Sequence, residues 1–195
     1  LPTARRAGPL SLAMTDVAAL LSKLSPEQRA HLDWQRRWRS TARPNQIVGR
    51  SDWSECGYLA GRGFGKTRVG SEWISRAVFE DPNGYDSCVI APTYQDVKFT
   101  CFEGPAGILS VLPSELLVEH NKSDMIIKMR NVAGGVSTIR GFTAEKPERL
   151  RGPQHTRGWF DELAAWQYDE DTWDMAMMGL RLGTAGARRW RQKRS

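Results

Sequence analysis

No stretch of this chain approaches the roughly 20 apolar residues that a membrane-spanning helix needs, and Arg5 and Arg6 near its beginning are not followed by a signal-peptide core. Cysteine is scarce. Cys56, Cys88 and Cys101 are odd in number and lack metal-ligand spacing, so they read as reduced cytosolic thiols rather than a disulfide framework or a zinc site. No internal repeat or low-complexity block stands out. A hydrophobic content of 40% and eight Trp in 195 residues exclude wholesale disorder and favour one domain, with room for an appendage. Charge says little about partners. Of the net +6, most comes from Arg188, Arg189, Arg191, Lys193 and Arg194, and a solvated basic tail accounts for them as well as a nucleic-acid contact does. Leu1 is not a usual start, so residues 1–13 are expected to be disordered or an upstream extension, with Met14 as the true beginning.

What the chain does contain is Tyr58-Leu59-Ala60-Gly61-Arg62-Gly63-Phe64-Gly65-Lys66-Thr67. An apolar start gives way to glycines at every second position, then Lys-Thr, then a helical pattern to about Phe79. This is the layout of a phosphate-binding loop. Gly61, Gly63 and Gly65 let backbone N–H groups turn inward around a polyphosphate, Lys66 reaches the β- and γ-phosphates, and the Thr67 hydroxyl can ligate Mg²⁺. The helix that follows would point its positive end at the same anion. The pattern G-x-x-x-x-G-K-[ST] wants glycine where this chain has Ala60, so the motif is relaxed. The competing reading is a Gly-rich turn between strand and helix.

Residues 14–42 read as an N-terminal helical segment, with Ser25 as N-cap and Pro26 at the first helical position of its second part. Trp34 and Trp38 beside several Arg suit an amphipathic cover packed on a core better than a DNA-facing helix. Gln46, in Arg43-Pro44-Asn45-Gln46, can both donate to and accept from an adenine edge, although a structural glutamine in a loop is the default. Ser87 to Ala91 reads as a buried parallel strand, Tyr94 to Phe102 as a helix, and Met125 to Met129 with Val136 to Phe142 as adjacent antiparallel strands. A Trp- and Met-rich stretch from Ala164 to Leu182 reads as helical.

Trp159-Phe160-Asp161-Glu162 reads as a short strand ending in two carboxylates that alternation would aim apart. Asp161 is placed to bind the water shell of Mg²⁺, and Glu162 to orient or deprotonate an attacking water. An isolated Asp-Glu pair is usually solvated surface. Behind a phosphate loop, at the end of an apolar strand, it reads as functional.

In this order, Arg43-Pro44-Asn45-Gln46, Gly61 to Thr67, Ala91-Pro92-Thr93, Glu103-Gly104-Pro105-Ala106-Gly107, Leu150-Arg151-Gly152-Pro153-Gln154 and Trp159 to Trp166 resemble the large terminase subunits, the DNA-packaging motors of tailed phages, prophages and phage-like gene-transfer particles. The resemblance implies an α/β fold of the additional-strand class of P-loop NTPases, a mainly parallel sheet flanked by helices, over residues 43–183. It implies an ATPase that uses ATP and Mg²⁺ to drive double-stranded DNA into a procapsid. The implied setting is a homo-oligomeric ring with a portal protein and a small terminase subunit, in the bacterial host cytoplasm and away from membranes. Carried over by position, Gln46 resembles the adenine-contacting glutamine, Lys66, Thr67 and Asp161 the phosphate and Mg²⁺ residues, and Glu162 the catalytic carboxylate. Arg62 resembles an arginine acting in cis on the γ-phosphate, with a phosphate-loop brace as its other role. Residues 184–195 depart from the family. The core strand between the phosphate-loop strand and the acidic strand is therefore expected to be missing, the domain to be incomplete, and no nuclease part to be present. A helicase-like ATPase and a truncated prophage remnant without activity are the alternatives.

Overall fold

The structure, a computed structural model, describes residues 19–48 and 54–182, and the backbone of 188–193. Expectations for 1–13, for the first residues of the 14–42 segment and for 183–187 lie outside these residues. Helix α1 (Pro26–Thr41) starts where the sequence places it. The Ser25 side chain accepts from the Gln28 N–H, and the Gln28 side chain accepts from the Ser25 N–H, a reciprocal capping box. Strand β1 (Glu55–Leu59) leads into the Gly-rich loop and helix α2 (Lys66–Phe79). Next come β2 (Ser87–Ala91), a π-helix (Asp96–Phe102), a single turn α3 (Ile108–Val111) and the strands β3 (Leu117–Asn121), β4 (Ile126–Arg130) and β5 (Val136–Thr143). The chain then forms β6 (Arg157–Phe160), helix α4 (Asp169–Gly179) and β7 (Arg188–Lys193).

The seven strands form one sheet in the order β1-β7-β6-β2-β5-β4-β3. The five from β1 to β5 in that order are parallel, and β4 and β3 add an antiparallel pair at one edge. Every residue of β2 is buried, as its unbroken apolar run requires of a strand covered on both faces. Val89 and Ala91 join a core with Trp34, Trp38, Val69, Ile74, Phe79 and Trp159, while Cys88 and Ile90 join a second with Phe142, Phe160, Trp166 and Leu180. Thus α1 and α2 cover one face and α4 the other.

A buried hydrogen bond ties α2 to α1, and a contact within α2 completes the pairing of the Glu72 carboxylate. The Trp34 Nε1–H donates to Glu72 Oε2 at 2.8 Å, and Arg68 donates to Glu72 Oε1 at 2.8 Å, so the fully buried Glu72 carboxylate is paired on both oxygens. The amphipathic-cover reading of α1 holds: Trp34 and Trp38 are buried. On the sheet side, Gly70 lies so close to the Trp159 indole that a Cβ there would meet Cε2 at 2.3 Å. The phosphate-loop helix therefore rests directly on the strand that precedes Asp161.

The expectation of a missing core strand is corrected. β7 lies between β1 and β6 and pairs with both in parallel, with Trp190 opposite both Cys56 and Trp159. The backbone groups of β1 and β6 that would otherwise lack a shared neighbour are paired, which removes the physical ground for expecting an unstable sheet.

His155 sits beneath α4, 1% exposed, its ring edge-on to Phe142 at 5.4 Å, with neither ring nitrogen hydrogen-bonded among the described residues. Burial pushes its pKa down to about 4, against an opposing pull from Asp86. The unfolded chain takes up a proton near the ordinary value of 6.5 that the folded chain refuses until about 4. His155 should therefore remove roughly 3 kcal/mol of stability as pH drops from about 6.5 to about 4, and nothing further below that. Urea midpoints of the wild type and His155→Phe at pH 7 and pH 4.5 check this. The variant, having no imidazole to charge, should lose about 2 kcal/mol less over that interval.

Candidate active site

The loop from Ala60 to Gly65 joins β1 to α2 through two glycines in the left-handed region, Gly63 at φ 80° and Gly65 at φ 87°. Gly65 is favoured chiefly by its backbone. Its φ disfavours a side chain, and a Cβ there, within 2.8 Å of Gln46 Nε2, would also have to displace the end of the Gln46 side chain. Lys66 opens α2 and turns its Nζ back onto the loop, donating to the Ala60 carbonyl at 2.9 Å and the Gly61 carbonyl at 3.4 Å. Alanine at position 60 meets Lys66 through its carbonyl, a contact that does not depend on its side chain. Thr67 follows in the first helical turn, half-buried, and Arg62 is exposed on the loop.

Gln46 is buried beside this loop. Its Nε2 donates to the Phe64 carbonyl at 2.6 Å, and its Oε1 accepts from the Arg43 N–H at 2.9 Å. Arg43 donates to the same Phe64 carbonyl and lies over the Phe64 ring at 5.3 Å. Arg43 and Gln46 together hold the loop from outside, which gives Gln46 a bracing contact alongside the adenine contact expected of it. Arg43 as a second brace carries no signal in the sequence beyond its place in the same tetrapeptide.

Strand β6 stops at Phe160 and delivers Asp161, 2% exposed, into the sheet's C-terminal edge. Its N–H donates to the Ile90 carbonyl at 2.8 Å, and its own carbonyl accepts the Trp166 Nε1–H at 2.9 Å. Asp161 Oδ2 accepts from the Cys101 thiol at 3.7 Å, and Oδ1 has no protein partner among the described residues. Burial, then the neighbouring Glu162 carboxylate, push the Asp161 pKa up to about 7, with Asp96 adding to the rise. Cys101 and the positive charge of Lys66 pull it down. The loop after β1 and the end of β6 lie at the same edge of one parallel sheet, so the two motifs share that edge.

Strand alternation does not set how the two carboxylates stand, because β6 ends before both of them. Glu162 leaves the strand in the left-handed conformation, φ 48° and ψ 47°, and starts the short turn Leu163–Ala165. A non-glycine residue held there costs on the order of 1–3 kcal/mol and marks a site that its surroundings enforce. The Trp166 hydrogen bond to Asp161 O and the Ala165 N–H to Glu162 O are the visible restraints.

Two further groups stand at this edge. Asp96 Oδ2 accepts from the Thr93 N–H at 3.2 Å and the Thr93 hydroxyl at 2.7 Å, and Thr93 Oγ1 accepts from the Asp96 N–H. This is a reciprocal cap at the start of the π-helix, and its Thr-x-x-Asp spacing was available in the sequence. Cys101 reaches Asp161 from the same element, and no pattern in the sequence announces it.

The donor set suits Mg²⁺ carried with a nucleotide. Among the described residues Asp161 Oδ1 is a buried oxygen with no partner, Thr67 stands at the helix start, and no group of three or more His, Cys, Asp and Glu could cage a metal alone. Mg²⁺ keeps several waters and takes one or two protein oxygens plus phosphate, which matches so sparse a site.

Residues 58–187, more than half of the chain, match the sequence profile described as terminase large subunit, T4likevirus-type, N-terminal. Among solved structures, the large terminase from a thermophilic bacteriophage, in complex with ATP-gamma-S, is similar at 17% identity and a TM-score of 0.56, over 80% of this chain and 35% of that one. The same phage terminase in complex with ADP gives 18% identity and a TM-score of 0.54, over 87% of this chain and 38% of that one. At such identity the likeness shows the fold, and this chain spans little more than a third of the length of those structures. No curated protein matches it. The chain belongs to the terminase large subunit family, T4likevirus-type, and corresponds to that family's N-terminal part.

Proposed function

We propose that this chain is the ATPase module of a DNA-packaging motor, hydrolysing ATP to move double-stranded DNA into a procapsid. One observation carries the reading. The parallel strands β1 and β6 deliver the Lys66 loop and the buried Asp161 to the same C-terminal edge of one sheet, with Asp161 Oδ1 unpartnered among the described residues. The solved relatives hold an ATP analogue and ADP.

In this reading the glycine loop's N–H groups and the amino end of α2 receive the β- and γ-phosphates, and Lys66 exchanges its two loop carbonyls for phosphate oxygens. Thr67 Oγ1 and Asp161 Oδ1 would hold Mg²⁺ carried with the nucleotide. Bound Mg²⁺ supplies neutralisation of the charge on the β- and γ-phosphate oxygens. Glu162 orients and deprotonates the attacking water, and the Arg62 guanidinium offsets charge on the transferred phosphoryl group. Gln46 contacts adenine with the hydrogen-bonding capacity its loop contacts leave over: an amide has two N–H donors and two acceptor lone pairs, and one of each is used. The DNA, a portal protein, a small terminase subunit and a ring of copies in the bacterial host cytoplasm complete the proposal. No described helix is long and apolar enough to cross a membrane.

The full chain, melted with and without Mg-ATP, tests this. At a hundredfold excess over Kd, nucleotide should stabilise it by about 2.7 kcal/mol, a rise in Tm of roughly 5–10 °C. Lys66→Ala should abolish both the rise and the turnover of ATP. A wild-type Tm indifferent to Mg-ATP would overturn the ATPase reading and leave the remnant alternative.

A further inference from the structure

We propose that Cys101 is a positioning residue for the Mg²⁺ carboxylate, its thiol holding Asp161 Oδ2 so that Oδ1 alone is presented to the metal's water shell; this rests on the nucleotide-site reading above. The thiol donates to Oδ2 at 3.7 Å, both side chains are buried, and Oδ1 has no protein partner among the described residues. A buried carboxylate with one oxygen tied and one oxygen open has a defined orientation. Without the tie it can rotate about its Cβ–Cγ bond and offer either oxygen, or neither.

The backbone of the π-helix builds this contact. The Thr93–Asp96 cap starts the element, and Glu103 N–H donates to the Lys98 carbonyl at 2.8 Å, five residues back, so the helix closes with wide turns. Such turns are uncommon and often stand at functional sites, where they re-aim a side chain. Here the widened turn contains Cys101. A thiol suits the position because it is a weak donor, enough to orient the carboxylate while leaving it basic enough to bind a cation. On the element's exposed side Lys98 lies over the rings of Tyr94 and Phe99, at 5.6 and 5.0 Å, contacts internal to the same stretch of chain. The partners that orient a metal-binding group typically contribute 10- to 100-fold to metal affinity.

Electron paramagnetic resonance of Mn²⁺ with ATP-gamma-S on the full chain tests this, with metal-free binding of a fluorescent ATP analogue measured alongside. Cys101→Ala should weaken Mn²⁺ binding about tenfold and leave metal-free nucleotide binding unchanged, while Cys101→Ser, which keeps an O–H donor, should stay within about threefold of wild type. Equal losses in both variants, or no loss in Cys101→Ala, would overturn the positioning role. Should Cys101→Ala fail to fold, wild-type Mn²⁺ affinity in Cys101→Val would overturn it equally. A wild type that binds nucleotide but no Mn²⁺ would overturn it too, and one that binds neither would overturn the nucleotide site as a whole.

Discussion

Arg62→Ala should lower the ATP turnover number by about 10³-fold or more, about 4 kcal/mol of transition-state stabilisation, while melting at the wild-type temperature. The two halves of that expectation have separate grounds. Arg62 is exposed on the loop between Gly61 and Gly63, and loss of an exposed side chain away from caps and cores usually changes stability by less than about 0.5 kcal/mol. It nonetheless belongs to the loop proposed to receive the phosphates, next to the left-handed Gly63. In a loose phosphoryl-transfer transition state the protein contributes almost entirely by placing positive charge on the equatorial oxygens, and an arginine so placed contributes about 10³–10⁵. Arg62→Lys should recover little, because an ammonium is a single hydrated point charge and cannot make the fork of parallel hydrogen bonds. Turnover and ATP-gamma-S affinity distinguish the roles. A reduced kcat with affinity held within a few fold is expected. Lost affinity with kcat preserved would make Arg62 a brace of the loop instead.

The parts of this site that were legible in the sequence are those whose chemistry is contiguous. Gly61 to Thr67 needs only its own backbone to form an anion cradle, and Trp159 to Glu162 needs only an apolar strand end to deliver carboxylates. The capping of α1 by Ser25 and Gln28, and the buried run of β2, were readable for the same reason. What escaped depends on register or on distant partners. Cys101 meets Asp161 only because the helix after β2 winds with five-residue closure, which no residue type specifies. Glu162 has a left-handed backbone and lies beyond the end of β6, so the period-two alternation read from the sequence does not extend to it. β7 escaped most completely. Arg-Arg-Trp-Arg-Gln-Lys has none of the apolar run by which a central parallel strand is recognised, and its place is fixed by the open backbone edges of β1 and β6. Local pattern reads side chains, whereas the gap in the sheet was a backbone property.

Glu162→Gln should reduce kcat by about 10²–10⁴-fold with ATP-gamma-S affinity retained. Glutamine has the same length and shape, so the left-handed turn and the Trp166 bond to Asp161 O have no cause to shift. What goes is the proton acceptor, since an amide cannot deprotonate an attacking water at neutral pH. The neighbouring carboxylate makes the test sharper. Glu162 is one of the causes that raise the Asp161 pKa, so removing its charge lowers that pKa and favours the ionised, metal-binding form. A role for Glu162 in holding Mg²⁺ predicts weaker metal binding in the variant, and a role in the chemical step predicts metal binding at least as tight as in wild type. Single-turnover hydrolysis beside Mn²⁺ titration separates the two. Slowed chemistry with undiminished metal affinity is expected, and a loss of metal affinity in step with rate would move Glu162 from water activation to ligand binding.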